Sequence, residues 1–460
     1  MDNRLMTSLW LSLWQGLHSN DASPPAVAFT AGERLQSAWP VTELAASSLA
    51  LAMQAAADLC GNACPLEVNT RLASRWFQRS YFPINRTVAS LWDPFAGDYA
   101  TRDGWIRLHT NAPHHRAAME QVLGVHDSRE ALAKTVHGWM KNTLEEAVIS
   151  AGGCAAEMRS LADWLRHPQG EHVAQEPLIA QRMQPEAAPP AWRCPVSRPL
   201  LGIRVLDLTR IIAGPVATRF LAGLGAEILR LDPPGWEEAS LEEEITLGKR
   251  CARLNLKLKE GRKAFETLLA QADVLVHGFR ADALPRLGYD TDALQRLSPG
   301  LIDVSLNAWG WSGPWRNRRG FDSLVQMGCG IADYGRGGDV STPPSPLPVQ
   351  ALDHATGYMM AASVLKGLRQ RRRHNIGFTA RLSLARTALL LTQRPYPVAD
   401  RPAGLGADVA GDLNAETEIA ARGIGYRLNA PVWLPGTPLI WSRPASPLGS
   451  SAPCWSNTSS

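Results

Sequence analysis

The feature that most constrains the fold is a regular alternation of short apolar segments and helical segments in the second half of the chain. Strand patterns occupy residues 203–208, 227–231, 273–276 and 301–306, and helical patterns occupy residues 214–224, 261–271 and 291–297. Strands that alternate with helices in this way form parallel sheets, with helices on both faces. The sequence therefore predicts an α/β fold with a doubly wound parallel sheet, and such sheets bind ligands beyond the carboxyl ends of their strands.

The first half of the chain has a different pattern, typical of a smaller α+β domain. An Ala- and Leu-rich helix is expected over residues 44–59, a hairpin over residues 98–108, and further helices over residues 116–123, 128–140 and 144–150. Prolines punctuate residues 184–199, which reads as an extended linker. We therefore expect an α+β domain over residues 1–183, a linker over 184–199, a large domain over 200–395, and a C-terminal segment over 396–460 that packs on the large domain.

Composition narrows the class of protein. The 460 residues carry a formal net charge of only +4, and the basic residues are spread along the chain, so nucleic acid is not an expected partner. The seven cysteines are odd in number and dispersed, which indicates a reduced, cytoplasmic protein. Cys60 and Cys64 lack further ligands at zinc-site spacing, so no metal is expected. The apolar residues 5–17 are too short to span a membrane and predict an amphipathic helix instead.

A dinucleotide site is a natural hypothesis for a strand, a helix and a second strand that ends in Asp232. The connecting segment argues against it, because residues 209–219 contain one glycine where the dinucleotide fingerprint needs three. Without them the backbone cannot approach a pyrophosphate closely. Pro215 in this segment fits better as the first residue of a helix.

The second half resembles family III CoA-transferases, the CaiB/BaiF family that includes formyl-CoA transferase. The matching motifs are residues 200–209, Ala213-Gly214-Pro215, residues 224–228, Gly248-Lys249-Arg250, Asn255-Leu256-Lys257, residues 272–276, Gly320-Phe321-Asp322 and residues 352–357. Trp92-Asp93-Pro94 and residues 97–106 look like the start of the family's small domain, which here comes first in the chain. The resemblance implies a Rossmann-like large domain, a homodimer, and a CoA thioester as substrate with no separate cofactor.

The resemblance also implies the site residues. Asp353 stands where the family keeps the carboxylate that carries the acyl group during CoA exchange. The CoA itself is expected against Ile212, Ala213, Leu254, Asn255, Leu256, Lys257, Gly278, Phe279, Arg280, Arg286, Arg319, Gly320, Phe321 and Asp322. Asp353 precedes a helical pattern, so amide N–H groups of the first helical turn are expected to stabilise an oxyanion there.

Three alternatives stay open at this level. Without the surrounding motif, Asp353 would be interpreted as an ordinary helix N-cap, and the motif is what favours catalysis. The racemase branch of the same family uses a His and an Asp for proton transfer, and its His would fall at Phe321, which cannot relay a proton. A catalytically decayed CoA-binding or interaction protein is the third alternative, because residues 394–425 match the family weakly.

Overall fold

A computed structural model describes residues 4–18, 22–30, 32–188, 191–337 and 342–456. The helices are α1 (Arg4–Leu17), α2 (Val41–Cys60), α3 (Thr70–Gln78), α4 (Pro113–Leu123), α5 (Arg129–His137), α6 (Lys141–Ser150), α7 (Leu161–Arg166), α8 (Pro168–Gln175), α9 (Ala213–Gly223), α10 (Glu242–Ile245), α11 (Lys259–Leu269), α12 (Thr291–Leu297), α13 (Asp322–Gly328), α14 (Ile331–Gly335), α15 (Ala351–His374) and α16 (Leu384–Thr392). The strands are β1 (Val27–Thr30), β2 (Leu66–Asn69), β3 (Tyr81–Pro83), β4 (Gly97–Thr101), β5 (Gly104–Leu108), β6 (Ala155–Glu157), β7 (Ala180–Glu186), β8 (Arg204–Leu208), β9 (Glu227–Asp232), β10 (Lys249–Arg253), β11 (Val274–His277), β12 (Ile302–Asn307), β13 (Ile376–Ser383), β14 (Leu413–Ala420), β15 (Gly423–Leu428) and β16 (Val432–Trp433).

The largest sheet within the described residues has seven strands in the order β10-β9-β8-β11-β12-β13-β7. The first six strands in this order all pair in parallel, and β7 joins the edge of the sheet antiparallel to β13. The strand order reverses between β8 and β11, which makes a crevice at their carboxyl ends where such folds bind ligands. The predicted doubly wound α/β sheet is confirmed.

Adjacent side chains of one strand show that both faces of this sheet are covered. Val205 lies in the core that α9 and α15 share with the sheet, whereas its neighbour Leu206 lies in a second core on the opposite face, with Phe265 of α11. Side chains of a strand point alternately to the two faces, so a strand buried on both sides must be apolar almost throughout. This requirement explains why the strands were readable as continuous apolar runs.

Helix α15 is the central helix of the larger core and carries Asp353 in its first turn. It ends at Asn375, which takes the left-handed conformation with φ 56°. Basic side chains fill its last turn, where they complement the helix dipole, and Arg371 pairs with Asp273 at 3.0 Å. Near the other end, a Cβ on Gly357 would lie 2.4 Å from the carbonyl oxygen of Ala213, so only glycine lets α15 approach α9 this closely.

The first half of the chain contributes to more than one core. Helices α1 and α2 pack in the same core as α9 and α15, while β4, β5 and α4 to α6 enclose a separate core around Tyr99, Ile106 and Leu144. Residues 1–183, which we expected to form one small domain, thus contribute to two hydrophobic cores, the larger core around α15 and the separate core around Ile106. Residues 184–186 of the expected linker continue strand β7 instead, because β13 offers an unpaired edge; Pro189 and Pro190 lie outside the described residues.

The C-terminal segment packs on both halves. Trp455 is buried in the core under α11. The hairpin β14–β15, however, adds to β3, and β16 adds to β2. At the other end of the chain, α1 confirms the predicted amphipathic helix by burying Leu9 and Leu13. Within the described ranges, no helix combines the length and apolar character needed to cross a membrane.

Candidate active site

Asp353 lies where two cavities adjoin. One cavity has a volume of about 730 Å³ and the other about 460 Å³. The residues that line both are His114, Ile211, Trp236, Phe321 and Asp353. Asp353 is the acidic residue of this shared set, and its side chain is nearly buried. A ligand in either cavity would therefore reach the same carboxyl group.

The smaller cavity, called here the basic cavity, opens at the topological switch point of the sheet. Leu208, Gly278 and Asn307 place it at the carboxyl ends of β8, β11 and β12. Its cationic lining side chains are Arg210, Lys257, Arg280, Arg318 and Arg319. Arg210 lies between aromatic rings, with its guanidinium carbon 4.8 Å from the Trp236 ring centre and 5.8 Å from that of Phe279. This concentration of positive charge suits a ligand with phosphate groups.

The larger cavity, called here the acidic cavity, is walled by both halves of the same chain. Trp92, His109 and Asn111 come from the first half, and the loop of residues 233–241 comes from the second. Asp93, Glu237 and Glu238 also line it. Both halves of this chain therefore contribute to the described wall of the cavity.

Asp322 holds the first turn of α15 in place. Its carboxylate accepts a hydrogen bond from the backbone N–H of Asp353 at 2.9 Å and another from the amide of Leu352, while Gln326 donates to it at 2.5 Å. Asp353 is thus not the N-cap of its helix. The amides expected to stabilise an oxyanion are already used, because Asp322 takes two of them and His354 donates its N–H to Gln350.

Burial controls the charge of this carboxyl pair. Removal from water raises the pKa of Asp353 well above its ordinary value, and the neighbouring Asp322 carboxylate raises it further. Burial also raises the pKa of Asp322 to about 6, against the opposing effect of its hydrogen bonds. Burial and the Asp322 charge both favour the protonated form of Asp353, which must lose its proton before it can act as a nucleophile.

The loop between β8 and α9 is strained where it meets the cavities. Ile211 has φ 67°, a left-handed conformation that a β-branched residue rarely adopts. Its N–H donates to Glu238 at 2.7 Å, and Glu238 in turn pairs with the buried Arg230 at 2.6 Å. Gly214 is required beside it, because a Cβ there would lie 2.2 Å from Thr209. Pro215 occupies the third position of α9, still within the first turn.

Histidines surround Phe321 at the cavity wall. The His109 ring stacks on Phe321 with centroids 3.9 Å apart, and the His115 ring lies 5.7 Å from the same ring. Burial lowers the pKa of both His109 and His115 to about 3, so both are neutral at physiological pH. His354 lies outside the described linings of both cavities. Its ring stacks on that of Phe77, with centroids 4.8 Å apart.

Most of the residues expected around CoA line one of the two cavities. The basic cavity includes Ala213, Lys257, Gly278, Phe279, Arg280, Arg319, Gly320 and Phe321, and the acidic cavity includes Ile212, Phe321 and Asp322. These residues come from four separate segments of the sequence. Their role in binding stays a prediction, and their convergence around Asp353 is what the structure adds to it.

Four of the expected residues lie outside both cavity linings. Leu254 and Leu256 pack against the core on the α11 face. Asn255 turns back to accept the Lys257 N–H at 3.1 Å, and the largely exposed Arg286 pairs with Asp282 at 2.6 Å. Apolar burial and local pairing thus account for their positions in the described structure.

Other lining residues were missed from the sequence. Arg210 follows strand β8 at the switch point, so its position alone was a usable signal. Trp92 belongs to a motif that carried the family resemblance, but nothing local indicated that it faces a site. His109 and Trp236 had no distinguishing signal. Among the described residues, no group of three or more His, Cys, Asp or Glu side chains is arranged to hold a metal ion.

Comparison with known families and proteins gives consistent results. Residues 200–420 match the model of CoA-transferase family III. An acetyl-coenzyme A transferase of Hypoxylon pulicicidum is 32% identical over 301 residues, which cover 59% of this chain and 50% of that protein. A succinyl-CoA:glutarate CoA-transferase of Mus musculus is 30% identical over 201 residues, which cover 41% and 46%. The chain spans about half the length of the curated relatives it matches.

Solved structures are similar over a comparable share of the chain. A crystal structure of a Mycobacterium tuberculosis protein is 30% identical, covers 43% of this chain and 59% of that one, and has a TM-score of 0.38. A CaiB/BaiF family protein from Brucella suis is 24% identical, covers 50% and 65%, and has a TM-score of 0.39.

Proposed function

Residues 200–420 match the model of CoA-transferase family III, and on that premise we propose that the chain moves coenzyme A between an acyl-CoA and a carboxylic acid, with Asp353 as covalent nucleophile. The observation that carries the proposal is the position of Asp353 in the shared wall of a basic and an acidic cavity. A thioester bound through its phosphates in the basic cavity would present its carbonyl carbon to this carboxyl group.

The proposed exchange keeps the energy of the thioester at every step. The ionised Asp353 attacks the thioester carbonyl, which expels the CoA thiolate and leaves a mixed anhydride. The thiolate attacks the aspartyl carbonyl, which releases the donor acid and leaves an aspartyl-CoA thioester. The acceptor carboxylate then attacks that thioester, which expels CoA thiolate and leaves a mixed anhydride between Asp353 and the acceptor. The CoA thiolate finally attacks this anhydride at the acceptor's acyl carbon. Product acyl-CoA leaves, and Asp353 is restored as a carboxylate.

The geometry supports this reaction better than the proton-transfer alternative. A racemase needs a second group near Asp353 whose pKa is close to the working pH. Phe321 occupies the position of the racemase His, and the histidine stacked on it, His109, has a pKa lowered to about 3 by burial. Such a weak base is poorly suited to remove a proton from carbon. Transfer through a carboxylate makes no demand on these histidines.

The proposed intermediate can be trapped directly. The protein is incubated with a panel of acyl-CoA donors and treated with hydroxylamine, and the peptide that contains Asp353 is examined by mass spectrometry. A hydroxamate on Asp353 is expected. Asp163→Asn, a change at an exposed carboxylate of α7, serves as the matched control and should still form the adduct. Adduct on another residue, or none with any donor while CoA binds, would contradict the proposed chemistry.

We further infer a cytoplasmic homodimer. The family resemblance supports the dimer, and the described part of the chain supports a reducing compartment because its seven cysteines all have free thiols. Light scattering on an active preparation tests the proposal, and a clean monomer would contradict it.

A further inference from the structure

The two cavities that meet at Asp353 differ sharply in charge. Among the described residues, no Lys or Arg side chain lines the acidic cavity, whereas Asp93, Glu237 and Glu238 do, with Asp322 and Asp353 in its wall. The basic cavity has the opposite character, because its charged lining is cationic apart from Asp353. A substrate that occupies both cavities therefore meets opposite electrostatic environments on the two sides of the reacting carboxyl group.

Arginines do lie behind the acidic cavity, but each is bound to one of its carboxylates. Arg116 pairs with Asp93 at 3.4 Å, Arg253 with Glu237 at 2.5 Å, and Arg230 with Glu238 at 2.6 Å. A ligand anion in the cavity would have to compete with these carboxylates for their partners. Because these arginines are already paired, a ligand carboxylate that left water for this cavity would find no free cation to compensate its loss of hydration.

The rest of the lining favours uncharged matter. The rings of Trp92, Trp236 and Phe321 contribute broad apolar surface. His109 adds a polar group, since its Nδ1 is buried and has no hydrogen-bond partner among the described residues. As burial keeps this ring neutral, it can form a hydrogen bond with an uncharged ligand atom without adding charge. The volume of about 730 Å³ accommodates a long or branched chain.

Resting on the proposed function, we propose that the acidic cavity selects monocarboxylic acids with an uncharged tail and rejects dicarboxylic acids. The reacting carboxylate of the acceptor lies at the junction, within the field of Arg210 and Arg319 on the basic side. The tail extends into the acidic cavity. A second carboxylate on that tail has no cation to receive it, while an alkyl or aromatic tail gains contact with the rings.

Matched acids of equal carbon number test the proposal. Hexanoate and adipate are compared as acceptors, with acetyl-CoA and succinyl-CoA as donors, and the acyl-CoA products are measured by mass spectrometry. We expect kcat/KM for hexanoate to exceed that for adipate by at least about thirtyfold. Values within about threefold of each other overturn the proposal.

A cation added to the cavity provides the second arm. Ala239 lies on the exposed loop that lines the cavity, so replacement there leaves the buried core untouched. Ala239→Arg should raise the adipate to hexanoate ratio of kcat/KM by at least about tenfold, whereas Ala239→Gln, of similar reach without charge, should leave it unchanged. An equal ratio in the Arg and Gln variants overturns the charge argument.

The adduct experiment separates the two levels of the argument. If the Asp353 hydroxamate forms and adipate reacts as well as hexanoate, the substrate class is wrong and the transferase function stands. If neither exchange nor adduct is found with any donor, both fall together.

Discussion

Asp207 and Asp353 are two carboxyl groups buried in the same domain, and their surroundings differ in one decisive respect. Asp207, at the end of β8, is 0% exposed and lies 3.0 Å from the ammonium group of Lys249. Asp353, in the first turn of α15, is 7% exposed and has another carboxyl group, Asp322, as its charged neighbour. One carboxylate is fully paired, and the other is placed against a like charge.

The pKa values of the two groups move in opposite directions. Burial acts to raise the pKa of Asp207, but the charges of Lys249 and Arg230 and the hydroxyls of Thr209 and Thr218 outweigh it, and the pKa ends below its ordinary value. For Asp353, burial and Asp322 act together to raise the pKa. A buried pair that is fully satisfied stabilises a unique packing, whereas an unpaired carboxyl group kept at a cavity wall indicates chemistry.

The largest expected effect comes from removing the unpaired carboxyl group. Asp353→Ala should lower exchange by at least about a thousandfold, equivalent to about 4 kcal/mol, because the covalent route is lost and direct attack between two bound substrates must replace it. Thermal unfolding and CoA binding should change little. If the folded variant keeps more than about a tenth of wild-type exchange, the nucleophile is another residue.

Breaking the paired carboxylate should act on stability instead. Lys249→Met leaves the buried Asp207 uncompensated and should lower the free energy of unfolding by about 3 to 5 kcal/mol in urea titrations. The double variant Lys249→Met with Asp207→Asn removes the orphan charge and should recover part of the loss. If the Lys249→Met protein is as stable as the wild type, the ion pair between Lys249 and Asp207 does not stabilise the fold.

Removing the like charge should move the pH dependence of catalysis. Asp353 reacts as a carboxylate, so kcat/KM should fall as the pH falls through its raised pKa. Asp322→Asn removes the electrostatic part of that shift and leaves burial, so the acid limb of the kcat/KM profile should move to lower pH. A limb that stays in place, measured on a variant of wild-type stability, would show that Asp322 does not act on Asp353 by charge.

The smallest expected effect is on stability as a function of pH. Asp353 has a raised pKa in the folded state, so its contribution is fully present at low pH and is lost as the pH rises through that value. Asp353→Asn should therefore stabilise the protein at alkaline pH, by about 1 kcal/mol or more. Asp207→Asn should do the reverse, because a lowered pKa contributes stability that is present above the unfolded value and lost in acid. Parallel pH profiles for the two variants would contradict the assigned charge states.

Much of the fold could be read from the chain. The hairpin of β4 and β5, the helices α2 and α12, and the strands β8, β9, β11 and β12 lie within a few residues of their predicted positions, whereas β10 and β13 were not predicted as strands. Their signals are local, since apolar periodicity and helix caps depend on neighbouring residues. Strand β7 was read as linker because its proline and polar residues carry no strand signal, and the open edge of β13 decides its structure.

The site divides along the same line. Sequence singled out Asp353 and the loops after β8, β11 and β12, because the motif order and the strand ends are encoded along the chain. It assigned no site role to Trp92 or His109, which line the acidic cavity. It also expected free backbone amides in the first turn of α15, where the Asp353 N–H in fact donates to the Asp322 carboxylate. Trp92 and Asp353 are separated by most of the chain, so no local pattern could connect them.

The sequence by itself determined four strands of the central sheet, their parallel pairing and the choice of Asp353 as the candidate nucleophile. Only the tertiary structure decided which buried carboxylates receive a cation, which face of Asp353 meets each cavity, and that the first half of the chain closes one of them. The physical reason is range. Secondary structure follows from neighbours a few residues apart, whereas the charge state of a buried acid depends on whatever distant groups folding brings within a few ångströms of it.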